Sequence, residues 1–170
     1  MSYCELFAFK SEEMFSVNKY KNSYGFLAFV WSKLWEKYIG QGNWIFAPDK
    51  LWDLQNDARL SRVEKIVLFS TFDYAMVKSK DFKKYADLLD EFLLSHPPSP
   101  KQICHLKEIA SDIHKLIDDD DIKAIGFYGM SVAENLWVSY DEKTDEEVFY
   151  DIETGNKHWF VNFDYEREEY

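Results

Sequence analysis

The sequence predicts an α+β fold in which an N-terminal helical part packs on a C-terminal antiparallel β-meander of about four strands. Two observations carry this. Apolar residues recur near a 3.6-residue period as far as Ile117, and the period changes to two from Lys123 onward. A third bounds the size: 170 residues, 46% hydrophobic and 18% aromatic with only 6 Gly and 4 Pro, suit one compact domain. The expected organisation is therefore a single domain over 1–170, helical over about 1–117 and sheet over about 122–165, with no repeat or low-complexity linker.

The elements follow in order. Residues 3–9 alternate loosely, as an edge strand would, while Ser11-Glu-Glu-Met-Phe could equally open a short helix, so 1–22 stays open. After Ser23, a run to Ile39 places Ser32, Lys33, Glu36 and Lys37 on one stripe and Leu27, Val30, Trp31, Leu34 and Tyr38 elsewhere. It reads as a largely buried helix stopped by Gly40. Pro48 suits the first turn of a short helix through about Gln55. Ser61-Arg-Val-Glu64 matches a capping box for a helix running toward Phe72. Ser79 is the expected cap of the next helix, whose stripe of Phe82, Tyr85, Leu88, Leu89, Phe92 and Leu93 ends at His96-Pro97-Pro98. Ser99-Pro100 reads as a new cap and first helical residue. The following stripe contains Ile103, Leu106, Ile109, Ala110, Ile113, Leu116 and Ile117, with Asp118–Asp121 ending it. Strands are then expected at 123–128, 135–140, 147–152 and 157–163, with Gly155 supplying positive φ in a hairpin turn.

Charge is concentrated rather than spread. Residues 1–117 hold 16 Lys and Arg against 15 Asp and Glu, whereas 118–170 hold 4 against 16, so the last third carries the whole net charge of −11. Such a field repels phosphate backbones, which argues against nucleic acid as a ligand. It attracts basic surfaces and accelerates their encounter. No apolar run approaches the roughly 20 residues of a membrane span. Met1–Lys10 lacks the basic start and apolar core of a secretory signal, so a cytoplasmic location is expected. Cys4 and Cys104 read as reduced, packed thiols.

Signatures of chemistry are weak. There is no Gly-rich phosphate loop, and Gly126–Ser131 lacks a nucleophile-elbow pattern. Asp118–Asp121 resembles the start of a calcium loop, but Ile122 and Lys123 occupy positions that need a carboxylate and the turn glycine. His105 and Glu108 lie one helical turn apart without the further ligands a metal requires. His114 reads as a packed histidine, and Cys104 beside His105 is no dyad, since successive helical residues diverge by about 100°. No cofactor, no metal and no enzymatic activity are expected.

The informative surface is the second face of the predicted sheet. Leu136, Val138 and Tyr140, with Val148, Tyr150 and Ile152, form apolar sets for the core. The interleaved positions place Trp137, Phe149 and Phe160 among Glu147 and Asp151, where aromatic anchors amid carboxylates suit a protein interface. The run Asp118, Asp119, Asp120 and Asp121 adds steering charge. The segment Glu147-Val-Phe-Tyr-Asp-Ile-Glu-Thr-Gly-Asn-Lys-His-Trp-Phe160 is a strand-turn-strand unit. Through it, and in its general build, the chain resembles bacterial immunity proteins of contact-dependent inhibition and other polymorphic toxin systems. That resemblance implies a cognate toxin partner, often a nuclease, whose cationic cleft the acidic surface would cover. Two alternatives stand beside it: an acidic nucleic-acid mimic that occupies a DNA-binding protein, and a small enzyme with His105, His114 or His158 converging between helices and sheet.

Overall fold

The computed structural model describes residues 3–22, 25–129 and 135–164. Its centre is a five-stranded mixed sheet of order β2-β1-β4-β3-β7, built from β1 (Tyr3–Phe9), β2 (Met14–Lys21), β3 (Ala75–Lys78), β4 (Ala124–Gly129) and β7 (Trp159–Phe160). β5 (Val138–Asp141) and β6 (Glu146–Phe149) form a separate antiparallel hairpin. The α-helices are α1 (Leu27–Tyr38), α2 (Pro48–Leu54), α3 (Arg62–Ser70), α4 (Phe82–Ser95) and α5 (Leu106–Lys115).

The fold is mixed α and β, but it is not helices followed by a meander. The N-terminal segment left open in the sequence is a hairpin, and β1 is an interior strand paired antiparallel to both β2 and β4. Its composition explains the position. Cys4, Leu6 and Ala8 face the helices while Phe7 and Phe9 face the opposite side, so both faces are apolar and both are covered. Glu5, on the Phe7 side, is also buried and pairs with Lys19 at 3.4 Å. A bulge beside Leu6 and Phe7 shifts the β1–β2 register. β4 pairs with β1 and β3, and β7 runs parallel to β3, so the four expected C-terminal strands divide between two sheets.

The helices cover one face. α1, α3, α4 and α5 contribute Phe29, Leu34, Ile66, Leu68, Tyr85, Phe92, Ile109 and Ile113 to a core that β1 and β4 complete with Leu6 and Phe127. The capping box of α3 forms as its residues require. Ser61 Oγ accepts from Glu64 N–H at 3.2 Å, and Glu64 Oε2 accepts from Ser61 N–H at 2.8 Å. Gly40 takes φ 85° directly after α1, the left-handed stop that its position predicts.

Other boundaries move. Ser79 opens a 3₁₀ turn over Ser79–Asp81 instead of capping α4. α5 starts at Leu106, well after Pro100, because His105 N–H is drawn to Gly25 O at 2.8 Å before the helix begins. Ile103 and Ile117 therefore lie outside α5 and are exposed rather than in its stripe. The expected helix start at Ser23, the Ser131 end of the elbow test and the sheet limit at 165 lie outside the described residues.

The sheet's other face carries a second, smaller core of Phe7, Phe9, Met14, Met76, Ala124, Tyr128 and Trp137. Tyr150, Ile152, Val138 and Phe160 pack on its margin. This core seats the base of the β5–β6 hairpin on the sheet and so positions the acidic end of the molecule.

Candidate functional site

Cross-strand pairing decides which hairpin side chains share a face. Val138 lies opposite Phe149, Tyr140 opposite Glu147, Ser139 opposite Val148 and Asp141 opposite Glu146. Opposed residues in an antiparallel pair lie on one side of the sheet, so Val138, Tyr140, Glu147 and Phe149 share a face. Trp137, by alternation with Val138, belongs to the other. The expected grouping of Trp137 with Phe149 is thereby corrected: the register differs by one residue from the one that would align them.

Trp137 is fully buried in the second core. Its Nε1–H donates to Phe127 O at 3.0 Å, and its ring meets Phe9, Tyr74 and Tyr150 at centroid distances of 5.0, 5.5 and 5.5 Å. A Cβ at Gly126 would stand 2.8 Å from Trp137 Cζ2, so the bare glycine of β4 lets the indole lie against the sheet. Trp137 is thus the pin that holds the hairpin and not a surface anchor.

The exposed face is instead formed by Tyr140 and Phe149, which are 57% and 51% exposed, on either side of Glu147. The sequence pattern assigned Tyr140 to the core and missed it as a surface residue; Val148, from the same expected set, is exposed as well. The tip closes through Asp141, whose carbonyl accepts from Asp145 N–H at 2.9 Å and whose Oδ1 accepts from Lys143 N–H at 2.8 Å. Asp145 sits at φ 60°, a left-handed conformation that aspartate tolerates, and its carboxylate accepts from the Tyr140 hydroxyl. Between Asp141 and Glu147 the chain carries five carboxylates and one lysine. Glu142, Asp145, Glu146 and Glu147 are all exposed.

The remaining predicted site residues separate. Asp151 caps its own loop: Oδ1 accepts from Glu153 N–H at 2.8 Å and Oδ2 from the Thr154 hydroxyl at 2.7 Å. These bonds, that of Thr154 foremost, hold its carboxyl below the usual range. Phe160 is half-buried in β7, between the His158 ring at 5.0 Å and Lys78 Nζ at 4.5 Å from its centroid. No ring contact joins Trp137, Phe149 and Phe160 to one another among the described residues. Asp118, Asp119, Asp120 and Asp121 form the exposed α5–β4 turn, in which Asp119 Oδ1 accepts from Asp121 N–H at 3.1 Å. Gly155 adopts no positive φ and closes no hairpin; a Cβ there would overlap the Tyr150 ring.

The histidines stand with different partners. His105 bridges Lys21 O at 2.6 Å and Glu108 at 2.8 Å; His114, exposed rather than packed, lies 3.9 Å from Asp87; His158 meets Tyr150. Among the described residues, no group of three or more His, Cys, Asp or Glu side chains could hold a metal ion. Cys4 is buried, which pushes its thiol up to about 12, and Cys104 is also raised by burial; both are free.

Sequence reasoning also missed a buried polar network. Glu64 is 2% exposed, with Oε1 accepting from Lys37 at 2.7 Å and Oε2 from the Tyr38 hydroxyl at 2.6 Å. His96 Nε2 lies 3.0 Å from Oε1, at ion-pair distance but off the line of a hydrogen bond. Burial pushes the Glu64 pKa up, and the close approach of His96 with the hydrogen bonds from Lys37, Tyr38 and Ser61 outweighs that, holding it well below the usual range. This network ties α1, α3 and the end of α4 together. A second surface feature is Ile45, Phe46 and Trp52 around the start of α2, all more than half exposed; the Trp52 ring meets that of Phe72 at 4.9 Å, tilted by 48°.

No helix among the described residues is long and apolar enough to cross a membrane. In comparisons with known proteins, the chain matches no family model, no curated protein and no solved structure.

Proposed function

We propose that this chain is an immunity-type protein that neutralises a basic toxin domain, engaging it through the Tyr140–Glu147–Phe149 face of the β5–β6 hairpin. The observation that supports the reading is the pairing of two half-exposed aromatic rings with a surrounding excess of carboxylates on one hairpin. The carboxylates steer and orient a cationic surface, and the rings supply the desolvated anchors that carry most of an interface's free energy. A stable contact needs about 800 Å² per partner. The hairpin face would therefore be the centre of a larger footprint that takes in the adjoining 151–157 loop. A toxin with a cationic substrate cleft, such as a nuclease, is the partner chemistry that fits, and occlusion of that cleft is the mode of inhibition.

The test is capture of partners from the native host with tagged wild type and with Tyr140→Ala/Phe149→Ala, at low and moderate salt. One basic partner at near-equal stoichiometry is expected, its retention falling with salt and its affinity weakened at least roughly 30-fold in the double variant, the weight of one hot spot. A partner indifferent to both residues would overturn the assignment of this face. Capture of several unrelated DNA-binding proteins would replace the reading with that of a nucleic-acid mimic.

A further inference from the structure

Tyr150, the residue after β6, is where the hairpin returns to the body of the protein. Its N–H donates to Trp137 O at 2.8 Å, and its ring lies between Trp137 at 5.5 Å and His158 at 5.7 Å. His158 in turn meets Phe160 of β7 at 5.0 Å, so the rings form a continuous chain from the hairpin base to the main sheet. The Tyr150 hydroxyl is the polar centre of this chain. Its oxygen accepts from Lys157 N–H at 3.1 Å and from His158 N–H at 3.2 Å, and it lies 2.8 Å from His158 Nδ1.

These three bonds determine the protonation state. A phenolic oxygen has one proton to give and two lone pairs to accept with, and the two backbone N–H groups occupy the lone pairs. The hydroxyl proton therefore points at Nδ1, which must carry a lone pair, and His158 is the neutral Nε2–H tautomer. Protonation at Nδ1 would turn that acceptor into a donor aimed at an oxygen that is already saturated. The bond cannot survive the change without the loop opening.

We infer that Tyr150 and His158 form an acid-sensitive latch, which fixes the root of the β5–β6 hairpin to the sheet when His158 is neutral and releases it when His158 is protonated. The surroundings favour the neutral form. Burial lowers the His158 pKa below the ordinary histidine value. The charged groups around the ring chain are Lys78 over Phe160, Lys157 at 6.0 Å over Tyr74, and Asp151, whose carboxylate is taken up by Glu153 N–H and the Thr154 hydroxyl. Because the folded state depresses the pKa, the latch is at full strength above the unfolded value of about 6.5 and is lost as pH falls below it toward the folded one. For the proposed function this means that hairpin presentation weakens in acid; that consequence rests on the hairpin being the binding face, whereas the latch does not.

The experiment uses the free protein, so its outcome is independent of any partner. Nitrogen NMR of the His158 ring at pH 7.5 reports the tautomer, and amide exchange of Tyr150, corrected for intrinsic rate, is followed from pH 7.5 to 5.5 against amides of β1 and β4. The expected result is an Nε2–H tautomer and a loss of Tyr150 protection of about five- to tenfold, the weight of one hydrogen bond, while β1 and β4 stay unchanged. His158→Gln, whose amide oxygen can accept the same proton without titrating, should keep its protection flat with pH. Tyr150→Phe should show the low protection at every pH, and serves if the glutamine variant does not fold. An Nδ1–H tautomer, constant wild-type protection, or the same acid loss in His158→Gln or Tyr150→Phe would overturn the latch.

Discussion

Replacing Trp137 and Phe149 separately by alanine tests the hairpin register directly, since one aromatic residue immediately precedes β5, the other ends β6, and only the pairing distinguishes them. Trp137 is fully buried, and its truncation removes the indole from contact with Phe9, Tyr74 and Tyr150 and leaves Phe127 O without its donor. Aromatic-to-alanine changes at such sites cost about 3–5 kcal/mol. Gly126 offers no side chain to fill the space, so the cavity cannot collapse cheaply and the upper half of that range applies. Phe149 is 51% exposed and is not part of that core, so Phe149→Ala should cost roughly 1 kcal/mol or less from its remaining contact area. Urea denaturation followed by circular dichroism reads both. With a slope of about 2 kcal/mol per molar urea, the midpoint should fall by roughly 2 M for Trp137→Ala and by no more than about 0.5 M for Phe149→Ala. Equal losses, or the reverse order, would refute the register and with it the placement of Phe149 on the exposed face.

Two further predictions concern the supports of that face. Glu64→Gln should destabilise the protein by about 1–3 kcal/mol at pH 7, because the amide nitrogen would confront the Lys37 or Tyr38 donor and leave a buried hydrogen bond unmade. The folded-state pKa of Glu64 lies below its unfolded value of about 4.3, so wild type keeps this stabilisation above that pH and loses it as pH falls further; Glu64→Gln should lack that component when urea midpoints are compared at pH 7 and pH 3. Gly155→Ala should displace the Tyr150 ring and lower Tyr150 amide protection at every pH, with a thermal shift of a few degrees, because the added Cβ overlaps the ring. Unchanged protection would show that the ring does not rest on Gly155.

Much of the helical half is legible in the sequence for local reasons. The capping box at Ser61 and Glu64 forms from residues three apart, the α4 stripe follows from a single helical period, and Gly40 stops α1 because only glycine takes that φ cheaply. The acidic excess after Ile117 needs no structure at all, and the exposed carboxylates of the hairpin tip are drawn from it. Val161 and Phe163, alternate positions of the strand expected at 157–163, are both buried although β7 itself spans only Trp159–Phe160.

What the sequence could not carry is pairing. A period of two says which residues of one strand share a face, but not which strand lies beside it or in what register. Hence β1 looked like an edge although its partner β4 begins at residue 124, and a one-residue offset exchanged Trp137 for Tyr140 on the outer face of the hairpin. The Tyr150–His158 contact and the Glu64–His96 pair belong to the same class, because they join side chains whose approach is set by packed elements rather than by spacing along the chain. The sequence by itself determined the helical segments, the α3 capping box, the Gly40 stop and the acid excess, since each depends on neighbours within a few residues. Only the tertiary structure decided which aromatic rings are core and which are free to meet a partner, since that depends on contacts between strands far apart in the chain.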